Sequence, residues 1–254
     1  NVHTSTPCLG RLHPNHESNE ILSQIFVEMG FNEMEGPIVE SQLWNFDALW
    51  IPQDHPARED QDTFYLDGKS KVPEDYLDKI KNMHEHGIKE SHTDSGEFSK
   101  EISRSLVLRT HSTSTTFRKL YELSEKMKSG ENVDGKYFYL ASVFRNEAVD
   151  ATHLAEFYQG EGFIIGDDLS LADLIEFIKQ FYAKLGLTKL RFKPTYNPYT
   201  EPSMEAHYFD EKLGKWYALI NSGIFRPETL VPLGLGGKTI IAWGLGATRL
   251  ASLL

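Results

Sequence analysis

Two short stretches hold the residues best placed to do chemistry. One is Phe144-Arg145-Asn146-Glu147, the other Phe157-Tyr158-Gln159-Gly160-Glu161-Gly162, with His153 between them. Residues 137–145 are rich in aromatic and β-branched side chains and lack Pro and Gly, the composition of a buried strand. Residues of equal parity share a strand face, so a periodicity that persists past Phe144 aims a cation, Arg145, and a carboxylate, Glu147, at one region. Residues 146–152 read as a polar loop and 156–165 as a second strand. On that strand Phe157, Gln159 and Glu161 share one face, and Tyr158, Gly160 and Gly162 the other. An aromatic, an amide and a carboxylate at alternate positions make poor core, because each buried polar group without a partner costs about 1–3 kcal/mol. They suit a ligand with a flat ring and an ammonium group. A hairpin with a solvated polar face is the other reading, and the pattern alone leaves both open.

The rest of the chain must position these strands. Ile21, Leu22, Ile25, Phe26 and Met29 recur at helical spacing between Pro14 and Gly30, which predicts an amphipathic helix over 14–29 with a glycine stop. Residues 106–109 read as a strand and 113–127 as the helix behind it. Their corner, Thr110-His111-Ser112-Thr113, has four hydrogen-bonding side chains where N-capping needs one. Ser170 and Asp173 form a capping-box pattern before an apolar stripe from Leu171 to Leu185 that ends at Gly186. Residues 190–194, 206–209, 216–220 and 239–243 are short strand candidates joined by turns, which implies an antiparallel sheet. The expected fold is therefore α+β, an antiparallel sheet flanked by helices. Residues 44–66, aromatic and acid-rich with Pro52 and Pro56, read as irregular with solvated acids. Residues 67–103 read as a polar loop with a short helical patch near Tyr76, Leu77 and Ile80, and His84, His86 and His92 read as surface residues. Gly244-Leu245-Gly246-Ala247-Thr248-Arg249 lacks the third glycine of a dinucleotide fingerprint and serves either as a plain strand-to-helix turn or as a ligand-facing one.

Bulk properties narrow the possibilities. A 254-residue chain that is 40% hydrophobic and has no linker composition is expected to form one domain, residues 1–254, around one core. No apolar run approaches the roughly 20 residues of a membrane span, and the polar start lacks the basic and apolar segments of a signal peptide. Cys8, the one cysteine, excludes an internal disulfide and a multi-cysteine zinc site and fits a reducing cytoplasm. A net charge of −11 is the wrong sign for a strong grip on phosphates, so any nucleic acid must be anchored mainly elsewhere.

The string from Phe144 to His153, with Phe157 to Gly162 behind it, resembles the second signature motif of class II aminoacyl-tRNA synthetases. More narrowly, the chain resembles the phenylalanyl-tRNA synthetase α subunits of the archaeal and eukaryotic cytosolic type. The likeness extends over nearly the whole sequence, through Trp44-Asn45-Phe46-Asp47-Ala48-Leu49, Gln53-Asp54-His55-Pro56-Ala57-Arg58, Leu108-Arg109-Thr110-His111, Asn197-Pro198-Tyr199-Thr200-Glu201-Pro202 and Asn221-Ser222-Gly223-Ile224-Phe225-Arg226. It implies ATP-dependent activation of phenylalanine to its adenylate and transfer to tRNA(Phe), with Mg²⁺. It also implies a cytoplasmic α2β2 heterotetramer with a β subunit, and an N-terminal tRNA-handling extension and extreme C-terminus outside these 254 residues.

Roles carried over from that resemblance fall on named positions. Arg145 is matched to the α-phosphate of ATP, Arg249 to its γ-phosphate end, Glu147 to the adenine amino group, Phe157 to the adenine face, and His153 to the phosphates. Thr113, Gln159 and Glu161, with His111 close by, are matched to the amino-acid ammonium. Tyr199, Phe225 and Ala242 are matched to the phenyl ring, and Glu201 to a Mg²⁺ shared with the β subunit. Pro37 corresponds to the proline of a subunit-interface motif. Asn197 stands where bacterial relatives have a second phenylalanine, and Thr248 where many relatives have an acid. A synthetase for another amino acid, such as phosphoserine or pyrrolysine, or a non-catalytic paralogue acting as an assembly module, are the alternatives.

Overall fold

The computed structural model describes residues 10–59, 62–89, 96–146, 154–211 and 214–251, the side chains of 249 and 251 excepted. Its strands are β1 (Asn32–Glu33), β2 (Val39–Ser41), β3 (Tyr65–Lys69), β4 (Ser105–Leu108), β5 (Gly135–Phe144), β6 (Glu156–Gly166), β7 (Leu190–Asn197), β8 (Thr200–Asp210), β9 (Lys215–Phe225) and β10 (Thr239–Gly246). Its helices are α1 (Pro14–Glu28), α2 (Gln42–Asn45), α3 (Glu74–His86), α4 (Lys100–Arg104), α5 (Thr113–Lys128), α6 (Leu171–Lys184), α7 (Pro227–Leu230) and α8 (Ala247–Ala251). Seven strands form one sheet in the order β1-β5-β6-β10-β9-β8-β7, antiparallel throughout except for the short β1–β5 pair. β2, β4 and β3 form a small second sheet. The α+β expectation is met.

Period-two alternation along the strands divides the core in two. On one face α1 and α6 lay their apolar stripes against Phe138, Ala206, Ile241, Trp243 and Leu245. Phe26 is fully buried there, stacked on Phe138 at 4.9 Å and on Phe181 at 4.7 Å. Burial of one such side chain contributes roughly 1.5–3 kcal/mol. The ends of these helices follow their sequence signals: Pro14 opens α1, Gly30 follows it at φ +83°, and Ser170 and Asp173 make both bonds of a capping box on α6. The other face carries Phe163, Ile165, Ile240 and Ala242 in one cluster with apolar residues of α5, α3 and α2.

The strands approach closely where glycine allows it. A Cβ on Gly162 would lie 2.6 Å from the Tyr137 carbonyl and 2.7 Å from the Trp243 ring. Gly162→Ala should therefore destabilise the fold by about 1–3 kcal/mol, the usual cost of overpacking, read as a lower denaturant midpoint at unchanged slope.

Three expectations are corrected. Asp47, placed among solvated acids, is fully buried and accepts from Arg58 Nη2 at 2.8 Å, while the Asp47 carbonyl faces His84 Nε2 at 2.9 Å. His84 is thus a core residue of α3, a 13-residue helix rather than a short patch, and burial lowers its pKa. His92 lies outside the described residues.

Candidate active site

β6, β10 and β9 run side by side beneath a cavity of about 220 Å³. Register explains its floor. Glu161 pairs with Gly244, which pairs in turn with Asn221, and Ala242 pairs with Gly223. Gln159 and Glu161 line the cavity, while Gly160 between them faces the opposite side, where an added Cβ would meet Leu140 and Leu245. Gly244 leaves room for both polar groups: a Cβ there would lie 3.0 Å from Gln159 Nε2.

Glu161 is the electrostatic centre. It is 4% exposed, and its partners are neutral donors: Ser112 Oγ at 3.0 Å, Thr113 Oγ1 at 2.9 Å and Gln159 Nε2 at 3.4 Å to Oε2, with Thr116 Oγ1 at 3.3 Å to Oε1. Desolvation raises its pKa to about 7, against the lowering effect of the three hydroxyl bonds. Gln159 Oε1 is buried beside it with no hydrogen-bond partner among the described residues. A carboxylate without a cation and an unused amide acceptor make a receptor for an N–H-rich positive group.

Arg145 lines the cavity at the end of β5. Its Nε donates to the Thr110 carbonyl at 3.2 Å, and its guanidinium lies 5.2 Å from the Phe157 ring centroid. His111 sits in the same wall. Burial and, secondarily, the Arg145 charge lower its pKa to about 4, so the ring is neutral near pH 7. Neither of its nitrogens has a hydrogen-bond partner among the described residues. The apolar wall consists of Tyr199, at the β7–β8 turn, Phe225, 6.2 Å away edge-on, and Ala242. Desolvation and then Glu161 raise the Tyr199 phenol well above its ordinary range. Asn197 and Asn221 cross-bond through their amides at 3.2 and 3.1 Å and add a polar margin.

Eight of the expected residues thus meet in one cavity: His111, Thr113, Arg145, Gln159, Glu161, Tyr199, Phe225 and Ala242. Phe157 lies just outside it, half-buried under Arg145. Glu201 is exposed at the start of β8 and does not line the cavity. Glu147 and His153 lie outside the described residues, as does the side chain of Arg249. Sequence reading missed Ser112 and Thr116, the other hydroxyl donors to Glu161. Their signal was the excess of hydroxyls at the strand-to-helix corner, since Ser112 at the N-cap position makes no capping bond with its side chain.

The full chain, residues 1–254, matches the family model described as tRNA synthetases class II core domain (F). The chain belongs to this family. It is 46% identical over 248 residues to the phenylalanine–tRNA ligase α subunit of Danio rerio, covering 96% of this chain and 49% of that protein. The corresponding α subunits of Methanocaldococcus jannaschii and Homo sapiens are each 45% identical, over 96% and 98% of this chain and 49% of their own lengths. The chain therefore spans about half the length of the curated relatives it matches. Archaeal and animal relatives match about equally, in keeping with the expected subtype.

Within this class II core, Thr248 occupies the position where the resemblance expects an acid, and its hydroxyl accepts the Tyr158 N–H at 2.9 Å, tying the start of β6 to α8. For ATP, a core of this kind needs a fork-shaped cation for phosphate and a flat surface for the base; Arg145 and Phe157 have that chemistry side by side. For Mg²⁺, the described residues contain no group of three or more acid, histidine or cysteine side chains, and Glu201 is a single exposed carboxylate. A carboxylate oxygen is the donor type that a hard cation such as Mg²⁺ takes. Among the described residues, no helix is long and apolar enough to cross a membrane.

Proposed function

We propose that this chain, read as one catalytic domain over residues 1–254, contains the amino-acid-activating centre of a cytoplasmic phenylalanine–tRNA ligase. It makes phenylalanyl adenylate from phenylalanine and ATP, passes the phenylalanyl group to tRNA(Phe), and works with a β subunit in an α2β2 assembly. The observation that carries this reading is the buried Glu161, surrounded by neutral donors and facing an aromatic wall. An ammonium group and a phenyl ring are the two halves of phenylalanine.

In this mechanism the phenylalanine carboxylate attacks the α-phosphorus of ATP and pyrophosphate leaves. Glu161 and the free oxygen of Gln159 hold the ammonium, which fixes the carboxylate in line for attack. Arg145 takes up the negative charge that grows on the α-phosphate oxygens. Neutral His111 adds no second cation next to the ammonium site. Arg249 is assigned the γ-phosphate end, Glu147 the adenine amino group, His153 the phosphates and Phe157 the adenine face. Mg²⁺ would neutralise phosphate charge when bound, and Glu201 is assigned to a Mg²⁺ shared with the β subunit.

The test is pyrophosphate exchange on the assembled enzyme with each amino acid in turn. Exchange driven by phenylalanine is expected; exchange driven by another amino acid, or by none, would favour a different synthetase or a non-catalytic paralogue. A sharper test concerns Ala242, which lines the cavity with Tyr199 and Phe225. Ala242→Gly removes one methyl at the proposed far end of the ring. The activation efficiency for para-chlorophenylalanine relative to phenylalanine should then rise by about 10-fold or more, the scale of one methylene in an apolar pocket. An unchanged ratio would mean that Ala242 does not meet the para position.

A further inference from the structure

Arg109 immediately follows β4 and is 3% exposed, yet no carboxylate pairs with it among the described residues. Its guanidinium instead gathers oxygens from two separate segments. Nε donates to the Ser142 carbonyl of β5 at 2.7 Å, and Nη1 donates to the Tyr139 hydroxyl at 2.7 Å and to the Gly36 and Pro37 carbonyls at 3.1 and 3.2 Å. Tyr139 closes the set by donating to the Gly36 carbonyl at 2.9 Å. The Arg109 main chain joins the same pieces: its N–H donates to Ile38 at 3.0 Å, and its carbonyl accepts from Phe144 at 2.9 Å. A buried cation held only by neutral oxygens is a poor way to gain stability, since an apolar residue avoids its desolvation. Its rigid fork is a good way to hold several acceptors in fixed directions.

What it holds leads directly to the site. One residue beyond Phe144 is Arg145, and one residue beyond Arg109 is Thr110, whose carbonyl accepts from Arg145 Nε at 3.2 Å. From Thr110 the corner continues to Ser112 and Thr113, the hydroxyls on Glu161. We infer that Arg109 is a positioning residue that fixes the end of β5, and with it Arg145, relative to the Glu161 pocket by clamping β5 to the Gly36–Pro37 segment. This inference rests on the reading that the site activates an amino acid with ATP.

The test uses the assembled enzyme and four proteins: wild type, Arg109→Lys, Arg145→Ala and the double variant. Lysine keeps the charge but loses the fork. Displacing a reacting group by about 1 Å costs up to about 10²-fold, so Arg109→Lys should lower kcat for phenylalanine-dependent exchange by about 10- to 100-fold. Its directly measured phenylalanine affinity should stay close to wild type. In the Arg145→Ala background the same change should cost almost nothing, because the group it positions is already gone. Tyr139→Phe, which removes one of the clamped oxygens, should show the same pattern at smaller size and remains available if Arg109→Lys folds poorly. Equal losses in both backgrounds, a loss confined to phenylalanine affinity, or wild-type kcat in Arg109→Lys and Tyr139→Phe would each overturn the inference. Wild type without phenylalanine-dependent exchange would instead overturn the functional reading, a separate outcome of the same assay.

Discussion

Arg145→Ala is expected to lower phenylalanine-dependent pyrophosphate exchange by about 10²–10³, the loss typical when a donor to a developing oxyanion is removed. The expectation comes from placement. Arg145 is the one arginine or lysine among the residues lining the cavity, and its Nε bond to Thr110 and its position over Phe157 orient the guanidinium. Phenylalanine is a zwitterion, so in the ground state the attraction of Arg145 for its carboxylate and the repulsion of its ammonium largely offset each other. The loss should therefore fall on kcat, with phenylalanine affinity little changed. Arg145→Lys should recover only part of the rate, because a point charge cannot make two parallel bonds to phosphate oxygens. Exchange near the wild-type rate in Arg145→Ala would remove this residue from the mechanism. A loss confined to phenylalanine KM would move it to the binding site for the amino acid.

Much of this arrangement is legible along the sequence, and the exceptions share a physical cause. The alternation on β6 gives the correct faces, with Gln159 and Glu161 toward the cavity and Gly160 away, because strand parity is a local property. α1 and α6 are legible from their stripes, caps and glycine stops. β7, β8 and β9 run further than the short candidates at 190–194, 206–209 and 216–220, and two of them run through proline. Pro194 lies on the edge strand β7, and Pro202 sits in a register shift between Thr200 and Ser203, two places where a missing N–H does no harm. The buried Asp47–Arg58 pair was not legible, since acids and arginines in a polar stretch look alike whether or not the chain folds them against each other. Nor were Ser112 and Thr116 as donors to Glu161, which is 49 and 45 residues away in sequence. Local pattern shows which face a side chain occupies; only the folded chain shows what it faces.

Glu161→Gln should separate function from stability with opposite signs. In the free protein the carboxyl is buried, and its pKa of about 7 lies above the ordinary 4.5. Between those two pH values the folded state binds more protons than the unfolded state, so stability falls as pH rises from about 4.5 to about 7. Above that range the full penalty is present, on the order of 3 kcal/mol at 1.36 kcal/mol per unit. Glutamine is neutral and similar in shape, so the unliganded variant should melt at a higher temperature than wild type at pH 8 and show little difference at pH 4.5. A bound ammonium reverses the balance, because it stabilises the ionised carboxylate that burial disfavours. Phenylalanine should therefore bind wild type more tightly as pH rises to about 7, then level off while its own amino group stays protonated. The variant should bind about 10²-fold or more weakly and lose this pH dependence, in line with the 3–5 kcal/mol associated with breaking a buried charge pair. Calorimetric titration of phenylalanine from pH 5.5 to 8, with melting curves of both proteins, supplies the measurement. Wild-type affinity in Glu161→Gln, or a flat pH profile in wild type, would mean that the ammonium is held elsewhere and that the Ser112, Thr113 and Thr116 hydroxyls serve only to keep a buried acid in place.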